Sequence, residues 1–101
     1  MSEGLTPDQT EAICAVMAQF QQVEEAVLFG SRARGTHRPD SDVDLALKGA
    51  TLEPELPGRI AVMLRQAVSG IDFNVVDCHG VLCRKHVEDI DYNGKTVYKR
   101  N

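Results

Sequence analysis

Hydrophobic residues recur at the three- and four-residue spacing of an amphipathic helix in two segments of the chain. The first helix is predicted from about Pro7 to Gln21 or Gln22, because Thr6 can cap it and Gln9 completes a capping box. Proline also suits the first position of a helix. The second helix is predicted from about Pro54 to Val68, and Gly70 follows as a terminating residue.

Short apolar runs outside these helices predict three β-strands, over residues 26–29, 42–47 and 71–77. A fourth strand, at an edge of the sheet, is predicted over 96–99 after an Asn93-Gly94 hairpin turn. A short helix is predicted over 81–88, and residues 31–35 form a short helical turn or a loop. The length suits one domain, so residues 1–101 are interpreted as a single unit.

The second predicted strand contains two aspartates at alternating positions, Asp42 and Asp44. Alternate residues of a strand point to the same face, so these two side chains project together while Val43 and Leu45 point into the core. Two carboxylates on one open face repel each other unless a positive charge lies between them. Oxygen-only ligands favour Mg²⁺, so the pair predicts a magnesium site.

A Gly30-Ser31 pair follows the first predicted strand and precedes the aspartates by ten residues. Glycine at a strand end allows a ligand to approach the backbone closely, and the N–H groups beyond it can bind phosphate oxygens. Either motif alone is common in solvated turns. A phosphate-binding turn next to a metal-binding pair, however, predicts a site for a nucleoside triphosphate and Mg²⁺.

The third predicted strand supplies a candidate third carboxylate, Asp72. If Ile71 and Phe73 pack under the helices, Asp72 faces the same open side as the aspartate pair. The alternative interpretation of Asp72 is an acidic residue at a strand edge in solvent. Asp77 is a rival third ligand, but its position in the alternation places it on the opposite face.

The net charge of −4 and the pI of about 5.2 argue against broad nucleic-acid binding, which needs a basic surface. Positive charge is concentrated between the two motifs, at Arg32, Arg34, His37 and Arg38. This cluster is either a solvated loop or a rim that attracts the triphosphate. Arginine suits the second role, because its fork of donors matches phosphate geometry.

The chain has three cysteines, an odd number with no regular spacing, which argues against a disulfide framework. The spacing of Cys78, His79, Cys83 and His86 matches no common zinc site. No apolar run approaches the roughly 20 residues of a membrane span, and the first residues have no secretory signal pattern. A cytoplasmic location is therefore expected.

These residues together resemble the signature of the DNA polymerase β-like nucleotidyltransferase superfamily: Gly30-Ser31, Arg32, Gly35, Asp42-x-Asp44 and a later Asp72. The chain most resembles the minimal nucleotidyltransferases (MNT) that serve as antitoxins to HEPN-domain toxins. The resemblance implies an α/β fold, a small mixed β-sheet flanked by helices, equivalent to the catalytic palm of that superfamily.

The resemblance also implies a reaction, the transfer of AMP from ATP to a tyrosine hydroxyl of a HEPN-domain toxin with release of pyrophosphate. Two Mg²⁺ ions about 4 Å apart would stabilise the attacking and leaving oxygens, held by Asp42, Asp44 and Asp72. Asp72 is the candidate general base. Gly30 and Ser31 would anchor the β- and γ-phosphates, with Arg32 assisting on the triphosphate.

Two other functions remain open at this stage. One is neutralisation of a partner by binding alone, which the small size and the open sheet face of the chain would allow. Transfer to a small-molecule hydroxyl is the other alternative, although relatives with that activity usually have an additional substrate domain.

Overall fold

Four strands and three helices make up the described part of the protein, which in this computed structural model covers residues 5–35, 38, 41–78 and 94–100. In chain order the elements are α1 (Pro7–Met17), β1 (Glu25–Phe29), α2 (Ser31–Arg34), β2 (Val43–Lys48), α3 (Leu56–Ala67), β3 (Phe73–Asp77) and β4 (Lys95–Lys99). The helix predicted over 81–88 and Asn93 of the predicted hairpin turn lie outside the described residues.

The strands form one mixed sheet with the order β3-β2-β1-β4. β1 lies antiparallel to both β2 and β4, whereas β2 and β3 are parallel. The prediction of a small mixed sheet with helices is confirmed, and β4 lies at an edge as expected. Each predicted strand is present, and its ends lie within two residues of the predicted ones.

The start of α1 is the one that the sequence predicted. The Thr6 hydroxyl accepts a hydrogen bond from the backbone N–H of Gln9 (3.1 Å), and the Gln9 side chain accepts one from the N–H of Thr6 (2.9 Å). These reciprocal bonds satisfy two of the N–H groups that a helix start leaves without partners.

The end of α1 differs from the prediction, since the helix stops at Met17 instead of Gln21 or Gln22. Beyond Met17 the backbone hydrogen bonds join residues that are three apart instead of four. The N–H of Phe20 donates to the carbonyl of Met17, and the N–H of Val23 donates to the carbonyl of Phe20. These turns bury Val23 completely and lead the chain into β1. Burial of this apolar side chain therefore outweighs continuation of the helix.

The second predicted helix, α3, begins at Leu56, two residues later than predicted, with proline in its first turn. It ends at Ala67, because Val68 is already extended. None of the helices in the described residues has the length and hydropathy needed to cross a membrane.

The main core lies between the sheet and the two longer helices. Its members include the fully or almost fully buried side chains of Ile13, Met17, Leu28, Leu45, Leu47, Ile60, Leu64 and Phe73. The other face of the sheet carries a smaller apolar cluster, formed by Val27, Phe29 and Ala46 with Val76 and Cys78 against it. Because side chains alternate along β2, Asp44 belongs to this second face, on the side of Ala46.

Candidate active site

The turn after β1 brings the two sequence motifs into contact. Gly30 has a φ of +79°, a conformation that L side chains rarely adopt, and it starts the short helix α2. A β-carbon built on Gly30 would overlap Oδ2 of Asp44 and lie 3.1 Å from its Cγ. The Asp44 carboxylate therefore occupies the space that a side chain at position 30 would need.

The two aspartates share one hydrogen-bond donor. The side-chain nitrogen Nδ2 of Asn74 donates to Oδ2 of Asp42 (3.2 Å) and to Oδ1 of Asp44 (3.0 Å). Asn74 lies beside Asp44 in the parallel register of β2 and β3. The structure thus brings Asp42 and Asp44 together, as the alternation along the strand predicts, although Asp42 itself precedes β2 by one residue.

Asp72 has a different partner from the one that the sequence predicted. It lies just before β3, and its carboxylate accepts hydrogen bonds from Nε of Arg65 and from the N–H of Phe73 (2.9 Å). The hydrogen bond from Arg65, followed by that from Phe73, holds the pKa of Asp72 below its usual range. Such a carboxylate is a weaker proton acceptor than an ordinary aspartate.

The side chain bonded to Asp42 and Asp44 is thus the amide of Asn74, whereas the carboxylate of Asp72 is bonded to Arg65 and Phe73. Within the described residues, no group of three or more histidine, cysteine, aspartate or glutamate side chains is placed to hold a metal ion. Asp42 and Asp44 nevertheless offer only oxygen atoms as ligands, which is the donor chemistry of Mg²⁺. These two carboxylates fit a hard divalent cation, which would take the place of the Asn74 N–H donor between them.

Among the described residues, Arg32 is the charged residue that is buried, with 4% of its surface exposed. Its guanidinium donates from Nε (3.1 Å) and Nη2 (2.9 Å) to the backbone carbonyl of Ser41, the residue before Asp42. These two donors hold the start of β2 against α2. Arg32 therefore has a second possible role besides binding the triphosphate, namely the positioning of Asp42.

The other basic residues predicted around the site are only partly described. Arg34 and Arg38 are exposed, and His37 lies outside the described residues. The backbone N–H of Arg38 donates to the Ser41 hydroxyl (2.8 Å), and the N–H of Ser41 donates to the carbonyl of Arg38 (3.0 Å). Ser31, the predicted phosphate anchor, is half-buried at the start of α2.

Sequence reasoning missed Asn74 and Arg65. Asn74 has the same position in the strand alternation as Asp72, so the alternation alone could not choose between them. The choice depends on which residue of β3 lies beside Asp44, and this register is set by contacts between distant segments. Arg65 is four-fifths of the way along α3 and gave no signal in the sequence beyond an ordinary basic residue near a helix end.

Comparisons with known proteins give one family and a consistent set of structures. The sequence profile of the family described as "Polymerase beta, Nucleotidyltransferase" matches residues 11–101. No curated protein matches the sequence significantly.

Among solved structures, a toxin–antitoxin complex with AMP-PNP matches with 26% identity and a TM-score of 0.73, over 91% of this chain and 74% of that chain. A complex of the tri-AMPylated HEPN toxin of Shewanella oneidensis with its MNT antitoxin matches with 23% identity and a TM-score of 0.67, over 91% and 71%. The MntA–HepT toxin–antitoxin complex matches with 23% identity and a TM-score of 0.66, also over 91% and 71%.

Proposed function

Because the chain belongs to the polymerase beta nucleotidyltransferase family, we propose that it is the antitoxin of a HEPN-domain toxin and transfers AMP from ATP to a tyrosine hydroxyl of that toxin. The observation that carries this proposal is the contact between Gly30 and Asp44, which joins the predicted phosphate-binding turn to the predicted metal ligands. A nucleotide and its metal ion need these two elements side by side.

Two structural matches support the choice of nucleotide and partner. The match with 26% identity is a toxin–antitoxin complex with AMP-PNP, an ATP analogue. Another complex of the same fold contains an AMPylated HEPN toxin and an MNT antitoxin. The corresponding ligand and partner for this chain would be ATP and a HEPN-domain toxin, with which it would form a hetero-oligomer.

Each residue of the site would have a distinct task. Asp42 and Asp44 would hold Mg²⁺, which supplies positive charge to stabilise the phosphate oxygens during transfer. The absence of a side chain at Gly30 makes room for the Asp44 carboxylate beside the turn, and the Ser31 hydroxyl and the backbone N–H groups of the turn would bind the phosphates by hydrogen bonds. Arg32 would keep Asp42 in place through the Ser41 carbonyl.

The proposed reaction forms one bond and breaks one. The tyrosine oxygen attacks the α-phosphorus of ATP, the bond from that phosphorus to the bridging oxygen breaks, and pyrophosphate leaves. The hydroxyl proton is released to solvent. Asp72, the candidate general base, would be a weaker proton acceptor than an ordinary aspartate, because the hydrogen bonds from Arg65 and Phe73 to its Oδ1 lower its pKa.

Labelled ATP tests this proposal. The protein is incubated with α-labelled ATP, Mg²⁺ and a candidate HEPN-domain toxin, and the toxin is then separated and counted. Label on the toxin is expected with the native chain and a loss of at least about a hundredfold with Asp42→Asn/Asp44→Asn, which removes the charges that hold the cation. No transfer to the toxin, or equal transfer by the double variant, would contradict the proposal.

A second function, neutralisation of the toxin by binding alone, is favoured by one specific observation. Asn74, an amide, faces the aspartate pair where a third carboxylate was expected. A site with fewer charges suits a protein whose main contribution is occupation of the toxin surface. Under this function an Asp44→Asn variant still protects cells from the toxin, whereas under the first function protection is lost although the complex still forms.

A further inference from the structure

Among the described residues, Asn74 has a side chain that donates hydrogen bonds to both aspartates of the site. The nitrogen Nδ2 lies 3.2 Å from a carboxylate oxygen of Asp42 and 3.0 Å from one of Asp44. The parallel register places its backbone directly beside Asp44. Asn74 is also exposed, so its amide is held by these contacts and not by burial.

We infer that Asn74 sets the charge of the metal site, so that without nucleotide the chain binds one divalent cation, fewer than the two ions expected for the transfer reaction. This inference rests on the proposed function, since it takes Asp42 and Asp44 as the metal ligands. Two carboxylates balance the charge of one divalent ion. A second ion would leave two positive charges without a counter-charge until a triphosphate arrived.

Asp72 does not supply the missing charge. Its carboxylate is paired with the guanidinium of Arg65, so this ion pair adds no net charge to the site. Both side chains are about half exposed, at 47% for Arg65 and 58% for Asp72, and water and salt therefore screen what remains of their field. Removal of the Asp72 charge leaves the guanidinium of Arg65 unpaired, but because that side chain is half exposed, its charge is screened and should have little effect on a cation bound at Asp42 and Asp44.

The hydrogen-bond pattern gives the inference a second consequence. Asn74 stabilises the metal-free pair, because its amide donates to both carboxylates. A carboxylate at position 74 has no such donor and would repel both aspartates. An Asn74→Asp variant should therefore be less stable than the native chain without metal and should gain more stability from a bound cation.

A titration with Mn²⁺ alone tests the inference, with calorimetry to give stoichiometry and affinity in the absence of ATP and toxin. We expect one ion for the native chain, and binding that is about tenfold tighter with a second ion for Asn74→Asp. The matched control is Asp72→Asn, which also changes one charge at the start of the same strand. It should keep one ion with an affinity within about twofold of the native chain.

Three results would overturn the inference: two ions on the native chain, no gain in affinity or stoichiometry for Asn74→Asp, or a loss of binding in Asp72→Asn as large as in Asp42→Asn. Thermal unfolding followed by circular dichroism provides the second readout. The midpoint of Asn74→Asp should be lower than that of the native chain without Mn²⁺ and should rise further on its addition. If the variant is unfolded without metal, Mn²⁺ must restore its structure, and failure to do so also overturns the inference.

The titration is independent of the transfer reaction. One ion on the native chain and two on Asn74→Asp would support the inference even if no toxin received AMP, in which case only the proposed function would fail. Conversely, transfer that depends on Asp42 and Asp44, combined with two ions on the native chain, would support the function and overturn the inference.

Discussion

The carboxylate of Asp44 lies directly against the backbone of Gly30, at the place where any other residue would carry its β-carbon. These residues belong to different strand ends, and β1 and β2 bring them together through the antiparallel pairing of Phe29 with Asp44. The glycine of the phosphate-binding turn is therefore also a requirement for the position of a metal ligand.

A Gly30→Ala substitution should damage stability and transfer together. The methyl group would be strained at a φ of +79° and would displace Asp44, which should lower the free energy of unfolding by about 1–3 kcal/mol. Urea denaturation measures this loss, and the labelled-ATP assay measures the loss of transfer.

Two other glycines provide the controls for Gly30. Gly35 has the same φ of +79° but nothing within 4 Å of a built β-carbon, so Gly35→Ala should show the backbone strain without the displacement of Asp44. Gly58 lies in α3 with open space around it, and Gly58→Ala should stabilise the protein by about 0.5–1 kcal/mol. Equal losses of transfer for Gly30→Ala and Gly35→Ala would show that the contact with Asp44 has no role.

An Arg32→Lys substitution should lower stability, because lysine cannot supply the two parallel donors that reach the Ser41 carbonyl. We expect a loss of about 1.5–3 kcal/mol, the range for hydrogen bonds to charged groups. Arg59→Lys, an exposed substitution in α3, should change stability by less than about 0.5 kcal/mol. Weaker ATP binding by Arg32→Lys with unchanged stability would instead support the role on the triphosphate.

Stability should depend on Asp72 in a particular pH range. Its pKa in the folded protein is lower than in the unfolded chain, where the pKa of aspartate is about 3.9. The ion pair with Arg65 therefore contributes fully above that value, and the contribution is lost as the pH falls from about 4 through the lowered folded pKa.

Comparison of the native chain with Asp72→Asn measures this contribution. The difference in their free energies of unfolding should be largest at neutral pH, should shrink below pH 4 and should be smaller at high salt. If the difference in the free energy of unfolding grows on acidification, the pKa of Asp72 is not lowered by folding and the interpretation is wrong.

Local patterns in the sequence were enough for much of the fold. The reciprocal bonds of Thr6 and Gln9 depend on residues three positions apart, and the shared face of Asp42 and Asp44 depends on residues two positions apart. Both features follow from the geometry of a single element, so the sequence alone predicts them.

The rest depends on contacts between distant segments. Whether Asp72 or Asn74 meets the aspartate pair is determined by the parallel register of β2 and β3 and by Arg65 of α3. The early end of α1 results from the burial of Val23 beneath the sheet. No local pattern specifies these pairings, because each reflects the packing of the whole core.

The most direct measurement of the central claim is the intact mass of a HEPN-domain toxin purified with this chain from cells. With the native chain the toxin should carry the added mass of adenylyl groups. With Asp44→Asn it should remain unmodified, although it still co-purifies with the variant. A modified toxin in the presence of Asp44→Asn, or an unmodified toxin that the native chain and the variant neutralise equally, would contradict the account.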